Sequence, residues 1–143
     1  MNSPGGAFYA SVGKAFLVPE PGHESEYVRL FLSPAGAPCP PWQSVYGPAH
    51  QLLGPEHHSA LDWYRRYGVE PAAATEPADH AGLLLLFYAQ LLENEVPAGE
   101  RDRFRRQHLA WIPEWCGSVA RETADPLFQT LARSTAEALA LSD

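Results

Sequence analysis

Residues 76–92, reading EPADHAGLLLLFYAQLL, constrain the fold of this chain more than any other stretch. After Gly82 there is neither glycine nor proline, and the apolar residues are mostly leucine rather than valine or isoleucine, which favours helix over strand. A helix with no polar face needs neighbours on every side, so the run predicts the central helix of a bundle. It falls short of the roughly 20 apolar residues of a membrane span, and Glu93, Asn94, Glu95 and Pro97 close it. Glu76, Asp79 and His80 stand at its N-terminal mouth.

A chain of 143 residues is sized for one domain that buries roughly two-thirds of its unfolded surface. Its 45% apolar and 19% charged content is that of an ordinary globular protein. The net charge of −7 argues against a general nucleic-acid binder, which needs a basic surface, and leaves room for a basic peptide partner. Cys39 and Cys116 form no CxxC pair, and residues 1–18 lack a signal-peptide core, so reduced thiols in a cytoplasmic protein are expected.

The rest of the chain reads as helices with proline-rich connections. Phe8, Tyr9, Val12, Ala15 and Phe16 fall at helical spacing, and Tyr27, Leu30 and Phe31 form an i, i+3, i+4 stripe within 24–32. Five prolines and two glycines make 33–48 a loop, which Trp42, Val45 and Tyr46 should hold down on the bundle. Pro55 opens a helix that Gly68 should end with a left-handed cap, and 69–78 reads as a hinge. Beyond Pro97, Phe104, His108, Leu109 and Trp111 face inward while the arginines face solvent; helices over 114–123 and 126–141 finish an all-α single-domain bundle. No alternating strand pattern occurs.

The chemistry-bearing residues admit more than one reading. A carboxylate in the first turn of a helix is stabilised by free N–H groups, by roughly 0.3–1 kcal/mol, so Asp79 has a purely structural explanation, with Pro77 in the same turn. His80 has one too, as a hydrogen-bonded tie across the hinge. Adjacent His57 and His58 point about 100° apart on a helix, and His23, His50 and His108 have no i, i+4 partner, so no metal site is expected. No GxSxG motif or phosphate-cradling glycine loop supports a catalytic or nucleotide-binding reading.

Five blocks in order carry a family resemblance: Tyr27-Val28-Arg29-Leu30-Phe31, PPWQSVYG at 40–47, LDWYRRYGVEP at 61–71, Glu76-Pro77-Ala78-Asp79-His80, and HLAWIPEW at 108–115. Together they resemble the TorD/DmsD/NarJ group of cytosolic chaperones for molybdenum-containing redox enzymes. The resemblance implies an all-helical, non-enzymatic protein, and no motif in the sequence itself calls for a cofactor. Such a protein holds the twin-arginine leader, or the core, of an oxidoreductase catalytic subunit until its cofactor is inserted and export proceeds. It assigns leader recognition to Glu76, Pro77, Asp79 and His80, and extends it to Tyr27, Leu30 and Phe31.

An arginine-bearing leader needs a carboxylate for bidentate pairing beside an apolar groove. Glu76 and Asp79 supply the first, and Tyr27, Leu30, Phe31, Trp42 and Tyr46 supply walls for the second, although core packing explains the Tyr27 stripe equally well. Two departures from the family pattern carry expectations. Only 26 residues precede Tyr27, so the N-terminal part reads as shortened and a homodimer or helix exchange would cover its faces. Leucines at 84 and 86 replace the family's acids, which favours a more apolar ligand segment. The competing readings are a helical dimerisation scaffold with no leader affinity, and a metal-dependent enzyme using Glu76, Asp79 and His80.

Overall fold

The computed structural model describes residues 4–71 and 75–141. Its elements are α1 (Gly6–Leu17), α2 (Glu24–Tyr27), α3 (Gln43–Tyr46), α4 (Pro55–Arg66), α5 (Ala81–Glu93), α6 (Ala98–Phe104), α7 (Ile112–Glu122) and α8 (Pro126–Leu141). Two of them widen by one residue per turn at their C-terminal ends, α2 into Val28–Leu32 and α6 into Arg105–Leu109. The described residues contain no strand; one isolated antiparallel bridge joins Trp42 to His80. The all-α expectation is borne out.

The central position of α5 follows from its composition. Ala81, Gly82, Leu83, Leu84, Leu85, Phe87, Tyr88, Ala89 and Leu91 are all buried. On one side α1 crosses it at Gly13 and Gly82, where a Cβ on either glycine would stand 2.6–2.8 Å from the other's carbonyl oxygen. Only glycine permits backbones to approach this closely. On another side Trp63 and Tyr64 of α4 and Phe104 of α6 converge on Phe87, with the Tyr64 and Phe104 rings each 4.9 Å from it.

A second aromatic cluster joins the N-terminal helices to the α7–α8 hairpin. Trp115 packs on Phe16 and Phe31 at 4.9 and 5.6 Å, and Phe128 on Phe31 at 6.0 Å. Such pairs stabilise by about 0.5–1.5 kcal/mol beyond their buried area. Cys39 and Cys116 are free and buried, and burial pushes their thiols up to about 11 and about 12.

Gly68 ends α4 at φ +67°, with Val69 N–H donating to Tyr64 O and Gly68 N–H to Arg65 O, the left-handed closure expected there. Two expectations need correction. The central helix starts at Ala81 rather than near residue 76, and the 33–48 loop contains the helical turn α3. The expected hinge at 69–78 falls in part on residues 72–74, outside the described residues. No helix among the described residues is long and apolar enough to cross a membrane.

Candidate functional site

The segment 75–80 does not begin α5. It is tied to α3, to α4 and to the loop before α3. The Trp42 indole N–H donates to Glu76 Oε1 at 2.7 Å. Ala78 N–H donates to His57 Nδ1 at 2.9 Å, and the Tyr64 hydroxyl donates to Ala78 O at 2.6 Å. Asp79 Oδ2 accepts from Ser44 N–H at 2.7 Å and from the Ser44 hydroxyl. Backbone bonds from Gln43 N–H to Asp79 O and from Ala81 N–H to Pro41 O complete the latch.

Asp79 therefore caps a helix, but a different one from that expected. It satisfies an N-terminal N–H of α3, while His80 caps α5 by accepting from Gly82 N–H at 2.9 Å through Nδ1. An Nδ1 that accepts carries no proton, so the imidazole proton sits on Nε2 and the ring is neutral. Burial lowers the His80 pKa to about 4, which keeps it so. Asp79 and His80 are fully buried, and Asp79 Oδ1 and His80 Nε2 make no hydrogen bond among the described residues. Pro77 lies outside the first turn of α5.

The other residues singled out from the sequence fall into two groups. Tyr27, Leu30 and Phe31 are buried in the second aromatic cluster; the Tyr27 hydroxyl donates to Phe16 O at 2.8 Å and Leu17 O at 3.1 Å. Burial raises that phenol to about 12. Trp42, Glu76 and Pro77 are half-buried, and Tyr46 is 45% exposed, so these four present surface. Leu84 is buried, and Leu86 is half-buried beside an apolar recess between α1 and α5.

Sequence reasoning missed a second buried network. The His108 ring spans Gln43 Oε1 at 2.8 Å on Nδ1 and Ser59 Oγ at 2.9 Å on Nε2. Gln43 Nε2–H also donates to Gln107 O. Since an amide oxygen only accepts, Nδ1 donates to Gln43 and Nε2 accepts from the serine hydroxyl. Burial lowers the His108 pKa to about 4. α3 is thus held by Asp79 through Ser44 and by His108 through Gln43; the inward-facing His108 expected from the sequence was the one hint of it.

Trp115 meets Phe31, Tyr46 stacks on Trp111 at 5.6 Å, Ser44 meets Asp79, and Tyr64 meets Ala78. The five sequence blocks, spread over residues 27–115, form one contiguous assembly. The model of the nitrate reductase delta subunit family matches residues 20–117, which contain all five. The chain belongs to this family.

Similarity extends to curated members of the same group, as the TorD/DmsD/NarJ resemblance implied. The Tat proofreading chaperone DmsD of Salmonella typhi is 34% identical over 106 residues, covering 72% of this chain and 52% of the relative. The Probable Tat proofreading chaperone DmsD of Haemophilus influenzae is 30% identical over 117 residues, covering 80% and 57%. The chain spans about half the length of these relatives. In fold, it is similar to a crystal structure described as a redox enzyme maturation protein from Archaeoglobus fulgidus, with a TM-score of 0.62 and 23% identity over 92% of this chain and 89% of that one.

Glu76, Asp79 and His80 each accept a hydrogen bond from a different residue, Trp42, Ser44 and Gly82, and no group of three or more His, Cys, Asp or Glu able to hold a metal occurs among the described residues.

Proposed function

We propose that this chain is a chaperone domain of the nitrate reductase delta subunit family that acts in the cytoplasm. It binds the twin-arginine leader, or the apoprotein, of a molybdenum-containing oxidoreductase catalytic subunit and assists cofactor insertion before export. The observation that carries this reading is the latch: the Glu76–His80 segment holds α3, and α3 presents Tyr46 at the surface beside Trp111. Similarity to Tat proofreading chaperones supports the ligand class.

In this reading the residues divide the work. Trp42, Tyr46, Glu76 and Pro77 touch the peptide, because they have surface to offer. Asp79, His80, Tyr27, Leu30 and Phe31 act from inside by fixing the elements that carry those four. The acidic net charge of −7 favours a basic leader over an acidic one. Calorimetric titration of the intact protein with a synthetic leader peptide, with and without its arginine pair, tests the reading; the homodimer expectation is tested by sedimentation of the same sample. Saturable binding that weakens with added salt is the expected result, and no binding at high micromolar peptide would overturn it.

A further inference from the structure

One recess on the exposed side of α3 has a chemistry of its own. It has a volume of about 300 Å³ and is lined by Pro38, Tyr46, Trp111, Glu114, Trp115 and Ser118. That size is at the small end for ligand sites and suits one side chain rather than a whole small molecule. The polar handles of all three aromatics are engaged elsewhere. The Tyr46 hydroxyl donates to Pro40 O at 2.6 Å, the Trp111 indole N–H to His108 O at 2.8 Å, and the Trp115 indole N–H to Cys39 O at 3.3 Å.

The rings therefore offer carbon surface to the recess, and its anionic group is Glu114. Glu114 lies in the first turn of α7, is exposed, and has no ion pair among the described residues. Helix-dipole stabilisation accounts for an acid at that position, but not for its placement beside three aromatic rings. Ring faces and a carboxylate both attract cations, and a flat guanidinium satisfies both at once by stacking while donating two N–H bonds. The cation already near this rim is Arg121, which donates to Ser118 Oγ at 3.2 Å and so occupies the serine rather than the glutamate.

We propose that this recess is the pocket for an arginine side chain of the leader peptide, with Glu114 as the carboxylate partner, Tyr46 and Trp111 as the stacking wall, and the buried Trp115 beneath them. The assignment rests on the leader-binding reading above and adds residues of the 108–115 block to it. Asp79 enters as a positioning residue, since its bond to Ser44 fixes the turn that lays Tyr46 on Trp111.

The test uses the intact protein, its Glu114→Gln variant, and three probes. These are a synthetic peptide with an adjacent arginine pair before an apolar stretch, the same peptide with two lysines, and N-acetyl-arginine amide alone. Peptide affinity is read by calorimetry, and the Trp111 indole N–H resonance reports on the recess directly. The expected result is about ten-fold tighter binding of the arginine peptide than of the lysine peptide, a preference that Glu114→Gln removes. N-acetyl-arginine amide should shift the Trp111 resonance in the native protein and not in the variant. If both peptides bind and Glu114→Gln alters neither the preference nor the resonance, the pocket assignment is overturned while leader binding stands. If neither peptide binds yet the amide shifts Trp111 in a Glu114-dependent way, the pocket stands and leader binding falls. Absence of every response overturns both.

Discussion

Asp79 and Ser44, 35 residues apart in the chain, share two hydrogen bonds on a single carboxylate oxygen in a site closed to solvent. This pair converts a sequence motif that looks like a surface recognition element into an internal brace. Removing the carboxylate leaves the Ser44 N–H and hydroxyl buried without an acceptor, at a cost of about 1–3 kcal/mol. Asp79→Ala should therefore lower the urea midpoint clearly, while Ser44→Ala, which keeps the backbone bond, should lower it less. An Asp79→Ala protein as stable as the native one would show that the brace does not form in solution.

Acid sensitivity should begin well above the range of ordinary carboxylates. His80 and His108 are held neutral by burial at pKa values of about 4, below the unfolded value near 6.5. Between those values the unfolded chain binds the extra protons, so stability is complete above about pH 6.5 and is lost as pH falls toward 4. Each histidine contributes a slope of at most about 1.4 kcal/mol per pH unit. His80→Asn keeps a capping side chain and should flatten the curve by one histidine's share in urea titrations from pH 7 to pH 5; an unchanged slope would contradict the assignment.

The α1–α5 crossing should not tolerate a methyl group. Alanine at Gly82 would place its Cβ 2.6 Å from Gly13 O, which is backbone and cannot swing aside. Gly82→Ala should destabilise by about 1–3 kcal/mol despite alanine's better helix propensity, read as a lower Tm. A raised Tm would mean the helices cross less closely.

Phe31 separates core packing from peptide contact. It is buried against Trp115, Tyr27 and Phe128, so Phe31→Ala should cost about 3–5 kcal/mol. Leader affinity per folded molecule, measured well below the unfolding transition, should stay within about two-fold of the native value. A large affinity loss with little change in stability would instead make Phe31 a contact.

Much of this fold was readable where local chemistry decides it. The leucine-rich run announces a buried helix, Gly68 announces the left-handed cap of α4, and α8 spans 126–141 as its proline start and apolar spacing predict. The start of α5 was not readable. Pro77 and Asp79 look like first-turn residues, yet Asp79 is drawn away by a serine in a proline-rich loop, a long-range bond that no periodicity encodes. The same holds for α3 and for His108, whose partners Gln43 and Ser59 come from two other segments. At the site, residue types pointed to the right blocks but could not separate those at the surface, such as Tyr46, from those braced inside, such as His80.

The division between braces and contacts meets its most direct test in one titration series. A synthetic twin-arginine leader peptide is titrated by calorimetry into the native protein, Tyr46→Ala and Ser44→Ala, with folding of each verified by circular dichroism. The expected outcome is saturable binding to the native protein, a loss of about ten-fold for Tyr46→Ala with the fold retained, and a smaller loss for Ser44→Ala that accompanies its lower stability. Equal affinity for the native protein and Tyr46→Ala, with both folded, would contradict the claim that the latch exists to present α3 to a leader.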